Sequence, residues 1–279
     1  MLNQENHFRG LCSDTTFKYL FKCEETRKVL EDLIFKIASI DLSEYELMDN
    51  EINSGNQLKD FRLDIVLKKG NSIVSIEMNS QVTDYILNKN HTYLYRLAGN
   101  IYEKGRKYDN AYVTQINFNH CYSPKRKEKM SSGIKEFGLR DLEGEFTIDG
   151  IKDYEIYLLN YKNICYNKDN LLESYLSLFT AKSIEDLRKI SSNNKEMTII
   201  VDELERLNSD KYFGALYDNE IVQKKLQNSA WAEGALKKAQ KIALALLEKG
   251  IDIQMISECT DLSVEEIENL KEMEEEVDE

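Results

Sequence analysis

The segment "RLDIVLKKGNSIVSIEMNS", residues 62–80, gives the clearest indication of the fold. Two short runs rich in isoleucine and valine flank a Lys-Lys-Gly-Asn turn, which predicts two buried strands joined as an antiparallel hairpin. Residues paired across such a ladder are equally distant from the turn and share one face of the sheet. A turn centred between Gly70 and Asn71 therefore brings Asp64 directly opposite Glu77.

Two interpretations of this carboxylate pair are open. Asp64 and Glu77 are either solvated side chains on a surface hairpin or the ligands of a metal ion. Like charges at this distance repel one another unless something neutralises them. A divalent cation does so, and Mg²⁺ prefers one or two carboxylates together with water and phosphate oxygens. Asn79, two residues beyond Glu77 on the same face, would aim its amide at the pair, where it could orient an attacking water.

The flanking sequence predicts an α/β fold with a mixed central sheet. Before the hairpin, "TTFKYLF" and "RKVLEDLIFKIAS" show helical spacing, with Ser13 or Asp14 as the N-cap. After the hairpin, Thr83 to Lys107 predicts a helix and its surroundings, followed by a strand at "AYVTQINF", residues 111–118. A strand, a crossover helix and a returning strand form the repeating unit of such sheets. The segment "YEIYLLNY", residues 154–161, predicts a further strand.

Only helical patterns remain after about Asn167, which predicts a core at residues 1–166 and a helical extension at 167–279. In the extension, "SAWAEGALKKAQKIALALLEKG" is amphipathic and ends at Gly250. The last part, "GIDIQMISECTDLSVEEIENLKEM", has helix-turn-helix proportions, and Ser263 opens a capping box with Glu266. Its second helix is strongly acidic, which favours packing or oligomerisation over reading DNA. An acidic tail follows.

Composition restricts the class of protein. The chain has 279 residues, 42% of them hydrophobic, so it can bury a sizeable core. Its five cysteines form no C-x-x-C pair, its start lacks the apolar core of a signal peptide, and no apolar stretch approaches the roughly 20 residues that span a bilayer. We therefore expect a cytoplasmic protein with no membrane partner.

The charge is unevenly distributed. The formal net charge of −13 argues against a protein that coats nucleic acid through its overall field. However, the segment from Val264 to Glu279 contains nine acidic residues and a single basic one, Lys271. Much of the negative charge therefore lies in this last segment. The segment from Pro124 to Arg140 contains six basic residues and only two acidic ones. That basic segment is either a solvated loop or a contact for phosphates.

The chain resembles a known nuclease family. A helix beginning "DTTFKYLF", the hairpin "LDIVLKKGNSIVSIEMN" and the segment "YLYRLAGNIYEKGRKYDNAYVTQINF" are similar to the recombination-promoting nuclease and putative transposase (Rpn) family of the PD-(D/E)XK nuclease superfamily. The likeness covers about residues 11–165, and "LLEKGIDIQMISECTDLSVEEIENL" resembles the tail that many such proteins carry. The resemblance implies a restriction-endonuclease-like core that cuts DNA with Mg²⁺, or with Mn²⁺ in its place, in the context of mobile elements and recombination.

The resemblance also assigns roles to residues. Asp64 matches the D of the motif, Glu77 matches the (D/E), and Asn79 occupies the position of the Lys, where this family commonly has Gln. By this assignment Asp64, Glu77 and the backbone carbonyl of Met78 hold the metal, and Asn79 positions the water. Glu31 is either an additional metal ligand or an ordinary exposed helix residue.

Two departures from the family pattern affect the chemistry. An amide at Asn79 lacks the positive charge with which a lysine would stabilise developing negative charge. On the middle helix, the sequence has Asn88, Lys89 and Asn90 where an arginine is expected ahead of the tyrosines.

Two hypotheses of different classes follow. The first is a Mg²⁺-dependent DNA endonuclease in which Asp64, Glu77 and Asn79 are catalytic. The second is a catalytically inactive nuclease-fold protein that acts as a DNA-binding or protein-interaction module, favoured by the acidic surface and the missing lysine. Cutting both strands with one site per chain usually requires two chains, so we also expect a homodimer formed through the amphipathic helix near Trp231.

Overall fold

The computed structural model describes residues 8–48, 51–52, 61–100, 112–125 and 127–275. Within these ranges the strands form a six-stranded sheet in the order β1-β4-β5-β6-β8-β7 and a separate two-stranded ladder of β2 and β3. The strands are β1 (Glu46–Leu47), β2 (Glu51–Ile52), β3 (Phe61–Arg62), β4 (Ile65–Lys69), β5 (Ser72–Asn79), β6 (Tyr112–Asn119), β7 (Ile134–Arg140) and β8 (Thr147–Tyr157).

The large sheet is mixed, as the sequence predicts. Its central strands β5, β6 and β8 are parallel, whereas β4 pairs antiparallel with β5 and β7 pairs antiparallel with β8. The β4–β5 hairpin has the predicted register, with Ile65 opposite Ile76. Gly70 lies in its turn at φ 55°, in the left-handed region that glycine adopts without strain.

Two sequence predictions about strands need correction. The basic segment between Pro124 and Arg140 is not a loop throughout, because residues Ile134–Arg140 form the edge strand β7. The strand predicted at residues 154–161 begins earlier and ends at Tyr157, after which Leu158–Tyr161 form a 3₁₀ turn. In β7, basic and acidic side chains on an exposed edge obscure the alternation of apolar residues that marks a strand.

Helices flank the sheet, and after β8 every longer element of the described residues is a helix. The all-helical region predicted after about Asn167 is therefore confirmed. The helix predicted from Thr83 begins at Ile86, and its predicted end near Lys107 lies outside the described residues. The helices are α1 (Asp14–Leu20), α2 (Glu24–Ala38), α3 (Ile86–Asn100), α4 (Leu171–Leu178), α5 (Ile184–Ser191), α6 (Lys195–Ser209), α7 (Lys211–Leu247), α8 (Ile253–Thr260) and α9 (Val264–Glu275).

The two faces of the sheet differ in chemistry. One face is apolar and packs against α1, α2 and the helices α4 to α6, with the Phe118 ring 6.0 Å from Phe17 and stacked on Phe179 at 5.0 Å. The other face is covered by α3 and carries buried polar side chains over β5, β6 and β8. This second face holds the candidate site.

The chain divides into two compact units, Met1–Tyr217 and Asp218–Glu279. The predicted boundary at residues 166 and 167 marks the end of the strands, while α4 to α6 share the core of the first unit. The second unit has its own core of Ala243, Ile256, Leu262 and Ile267.

The helix ends follow the predicted capping rules. Ser13 is the N-cap of α1, since its Oγ accepts a hydrogen bond from the Thr16 N–H, and Asp14 is the first helical residue. In the second unit, the Ser263 N–H donates to Glu266 Oε2 at 2.7 Å and the Glu266 N–H donates back to Ser263 Oγ at 3.2 Å. This reciprocal pair is the predicted capping box.

No helix of the described residues is long and apolar enough to cross a membrane. Trp231, on α7, is 81% exposed. The homodimer through this helix stays a prediction.

Candidate active site

Asp64 and Glu77 lie against each other at the carboxyl end of β5. The Asp64 backbone N–H donates to Glu77 Oε1 at 3.0 Å, and the Met78 backbone N–H donates to Asp64 Oδ2 at 2.7 Å. Both side chains are buried, with 8% of Asp64 and 3% of Glu77 exposed. The alternative of two solvated carboxylates on a surface hairpin is therefore wrong for this pair.

A lysine from the first helix neutralises part of this charge. The Lys18 ammonium lies 2.8 Å from Asp64 Oδ1. Lys18 reaches the site because α1 packs beside β5, and its own side chain is only partly exposed. A buried carboxylate requires such a partner, since an uncompensated charge at low dielectric is strongly unfavourable.

Both carboxyl groups hold their protons more tightly than usual. Burial, and secondly the charge of Asp64, raise the pKa of Glu77 well above its ordinary value. Burial also raises the pKa of Asp64, opposed by Lys18. Loss of solvent is the larger cause at both groups, and the repulsion between like charges that the sequence suggests adds to it at Glu77.

Asn79 lies on the same face, two residues beyond Glu77, and is 3% exposed. Its Nδ2 donates to Asn90 Oδ1 at 3.3 Å and to Asn119 Oδ1 at 3.0 Å. Its Oδ1 accepts from the Lys89 ammonium at 2.7 Å. Both the amide donors and the acceptor of Asn79 are thus engaged with other side chains.

A polar layer continues from Asn79 across the parallel strands. The register places Asn117 between Glu77 and Glu155, and it places Asn79 beside Asn119. Because β5, β6 and β8 are parallel and in register, side chains on one face form rows across the sheet. The row of Glu77, Asn117 and Glu155 is buried beneath α3.

Glu155 is the centre of this polar layer. Its carboxylate accepts hydrogen bonds from the side-chain amides of Asn90 at 2.8 Å, Asn117 at 3.2 Å and Asn119 at 2.5 Å. Burial and the neighbouring Asp153 raise the pKa of Glu155 to about 8. Burial raises the pKa of Asp153 to about 6, and His91 Nε2 lies 3.2 Å from Asp153 Oδ2.

Other predicted ligands are placed differently. Glu31 lies on α2, where its carboxylate is 3.6 Å from Arg27 Nε as an ion pair one helical turn apart. Met78 contributes its N–H to Asp64. Within the described residues, no three His, Cys, Asp or Glu side chains are grouped so that they could hold a metal ion. Asp64 and Glu77 form a carboxylate pair here, and the charge of Asp14 also acts on Asp64.

Sequence reasoning missed the two lysines and the carboxylates of β8. Lys18 and Lys89 come from helices, and only the packing of α1 and α3 on the sheet brings them to the hairpin. Asp153 and Glu155 alternate along β8 with Tyr154 and Ile156. Because alternate residues of a strand share one face of the sheet, this spacing already indicates that the two carboxyl groups lie on the same face.

Comparison with known proteins gives one match, in the second unit. Residues 236–272 match the sequence model of the C-terminal HTH domain of the Rpn/YhgA-like nuclease family. This match supports a relation to the Rpn/YhgA-like nuclease family through its C-terminal domain. The matched residues cover the end of α7, all of α8 and most of α9, so nearly all of the predicted helix-turn-helix unit lies within the match. Searches of the curated proteins and of the solved structures found no match to the chain.

The arrangement of the first unit has a definite chemical capacity. Two buried carboxylates provide hard oxygen donors, and two lysine ammonium groups lie at their edges. Such a site can hold a cation between the carboxylates and can bring positive charge to an anionic substrate.

Proposed function

We propose that the protein is a Mg²⁺-dependent DNA endonuclease that hydrolyses phosphodiester bonds, with Mn²⁺ able to replace Mg²⁺. The observation that carries this proposal is the pairing of Asp64 with Glu77 as two buried carboxylates at the end of a parallel strand. The similarity of residues 236–272 to the C-terminal domain of a nuclease family supports the same class of reaction.

The donor set fits the proposed metal. Carboxylate oxygens of Asp64 and Glu77 are the ligands that Mg²⁺ prefers, with water and phosphate completing its shell. Lys18 shows that this position already stabilises a positive charge, since its ammonium bonds to Asp64 Oδ1. When bound, Mg²⁺ would lower the pKa of a water molecule and screen the charge of the scissile phosphate.

The chain itself contributes rigidity and orientation. Backbone N–H groups of Asp64 and Met78 fix one oxygen of each carboxylate, so neither side chain is free to rotate away. Both side chains are buried, so they lie in a region of low dielectric where charge interactions are stronger than in water. The residues proposed to support catalysis are Asp64 and Glu77, as metal ligands, and Asn79 beside them.

DNA as the substrate is supported by two features. The matched domain is a helix-turn-helix, a fold that commonly binds DNA. In addition, Lys125, Lys127 and Lys129 are exposed in the segment that follows β6, and it leaves the sheet at the same end as the site because β5 and β6 are parallel. The acidic composition of α9 still favours packing or oligomerisation as the role of that helix.

A plasmid-nicking assay tests the proposal. Supercoiled DNA should be nicked with Mg²⁺ or Mn²⁺ and remain intact with EDTA. Asp64→Asn and Glu77→Gln should each abolish nicking while leaving the melting transition cooperative, because these changes remove charge and little volume. Glu136→Gln, a change of a surface carboxylate on β7 that pairs with Lys152, is the matched control and should nick as the wild type does.

The second candidate function is a catalytically inactive module that binds DNA or protein. The Lys18–Asp64 ion pair and the engaged Asn79 amide favour it, since they satisfy the polar groups of the site without any metal. Intact plasmid under all metal conditions, together with DNA or protein binding by the same sample, would support this second function.

A further inference from the structure

We propose that Lys89 is the catalytic cation of the site and that Asn79 is a positioning residue that holds it there. This inference rests on the proposed nuclease function and deepens it. It replaces the expectation that the Asn79 amide positions the attacking water, because both donors of that amide are already in use.

Glu155 determines which groups of the neighbouring amides donate hydrogen bonds and which accept them. The Asn90 amide N–H group donates to both carboxyl oxygens of Glu155, at 2.8 and 3.1 Å, and the Asn119 amide N–H group donates to one of them at 2.5 Å. Each of these two amides must then present its carbonyl oxygen on the opposite side. Those two oxygens face Asn79.

The orientation of these two amides in turn fixes the orientation of the Asn79 amide. Its Nδ2 donates to the two carbonyl oxygens, which fixes its own Oδ1 on the remaining side. Oδ1 can only accept a hydrogen bond, and it accepts from the Lys89 ammonium at 2.7 Å. Asn79 therefore offers the site an acceptor that holds a cation, and its amide hydrogens are directed away from the substrate side.

Lys89 is placed to meet a substrate. The residue is exposed on α3, so its ammonium can contact an incoming phosphate while its anchor, Asn79, is buried. The ammonium also lies 5.3 Å from the centre of the Tyr93 ring, a cation–π contact that restricts the long side chain. The charge of Lys89 acts on Glu77, which places it within electrostatic range of the carboxylate pair.

Lys18 has a different role. Its ammonium bonds to Asp64, a proposed metal ligand, so a metal ion would compete with it for the same oxygen. Lys89 bonds to an amide that is not a proposed ligand. Lys89 can therefore keep its place when the carboxylates hold a metal.

The chemical role follows from the charges of the reaction. In hydrolysis, the oxygen of a water molecule bonds to phosphorus and the bond from phosphorus to the leaving sugar oxygen breaks. One water proton ends on the leaving oxygen, and the other is released to solvent. Negative charge grows on the phosphate oxygens along this path, and the positive charge of the Lys89 side chain stabilises it.

The test measures single-turnover cleavage and metal binding for matched variants of the full chain. Lys89→Gln should lower the cleavage rate by about 100-fold or more, the typical effect of removing one preorganised charge stabiliser, with Mg²⁺ affinity changed less than about threefold. Lys152→Gln, on the exposed surface of β8, should cleave at the wild-type rate. A wild-type rate in Lys89→Gln would overturn the inference while the nuclease function stands.

A double-mutant cycle tests the positioning role of Asn79. Asn79→Leu removes the acceptor for Lys89 and should lower the cleavage rate in the wild-type background. The same change should have little further effect in the Lys89→Gln background, because Asn79 acts through Lys89. Fully additive losses would show that Asn79 acts independently and would overturn its assignment. Absence of metal-dependent cleavage in the wild-type chain would overturn the nuclease function and this inference with it.

Discussion

The Asp64 backbone N–H donates to the carboxylate of Glu77 at 3.0 Å, across the first pair of residues beyond the regular ladder of the hairpin. One oxygen of Glu77 is thus bonded to the backbone that carries the other carboxylate. Because the same Asp64 side chain accepts from Met78, the two acidic residues are joined by reciprocal bonds between backbone and side chain. Their spacing is fixed by the register of the sheet rather than by flexible side chains.

Lys18 should compete with a metal ion for Asp64. Lys18→Met removes the ammonium from Asp64 Oδ1, so the metal-free protein should lose about 1–3 kcal/mol of unfolding free energy through loss of this ion pair at a buried carboxylate. Mg²⁺ should then raise the melting temperature more in this variant than in the wild type, by mass action on the native state. Thermal unfolding across a Mg²⁺ series measures both effects. A smaller Mg²⁺ shift in Lys18→Met than in the wild type would show that Lys18 assists metal binding.

The free energy of unfolding should depend on pH through the protonation of the buried carboxyl groups on β8. The folded state raises the pKa of Glu155 to about 8 and that of Asp153 to about 6, so it binds more protons than the unfolded chain in this range. Stability should therefore fall as the pH rises from about 5 to 8. Glu155→Gln, which stays neutral, should flatten this slope, as measured by denaturant unfolding at several pH values.

Glu136→Gln is the control for the Glu155 prediction. Its bond to Lys152 lowers the pKa of Glu136, so this carboxylate is ionised in both states above pH 5 and should not change the slope. An unchanged slope in Glu155→Gln would show that Glu155 is ionised in the folded state throughout this range.

The exposed lysines after β6 should contribute to DNA affinity. Replacing Lys125, Lys127 and Lys129 with Ala should weaken binding to all sequences alike and should reduce the slope of log affinity against log salt by up to about 3. Fluorescence anisotropy at several salt concentrations gives that slope. The control replaces three exposed lysines elsewhere, Lys28, Lys69 and Lys189, and should leave the slope near the wild-type value. An equal reduction of the slope in both triple variants would indicate that DNA binding depends only on the overall charge of the protein.

The sequence predicts the parts of the site that are local in the chain. A glycine turn and two apolar runs determine the hairpin register, so the pairing of Asp64 with Glu77 could be predicted from one short stretch. The secondary structure around it follows from helical and strand periods in the same way. The edge strand β7 was missed because its exposed side chains are charged on both faces.

The rest of the site depends on packing between distant segments. Lys18 meets Asp64 because α1 docks beside β5, and Lys89 meets Asn79 because α3 covers the polar face. No pattern in either helix identifies these contacts. The direction of the amide network likewise depends on Glu155, which lies on a strand far along the chain from Asn79.

Calorimetric titration of Mg²⁺ and Mn²⁺ into the metal-free protein tests whether Asp64 and Glu77 form a metal site. We expect a binding heat in the wild type that is lost in both Asp64→Asn and Glu77→Gln, while Glu136→Gln retains it. Each carboxylate alone should be insufficient, because the two share one cation. Titrations that show no metal binding, or binding that survives both substitutions, would contradict the metal site and leave the inactive-module function in its place.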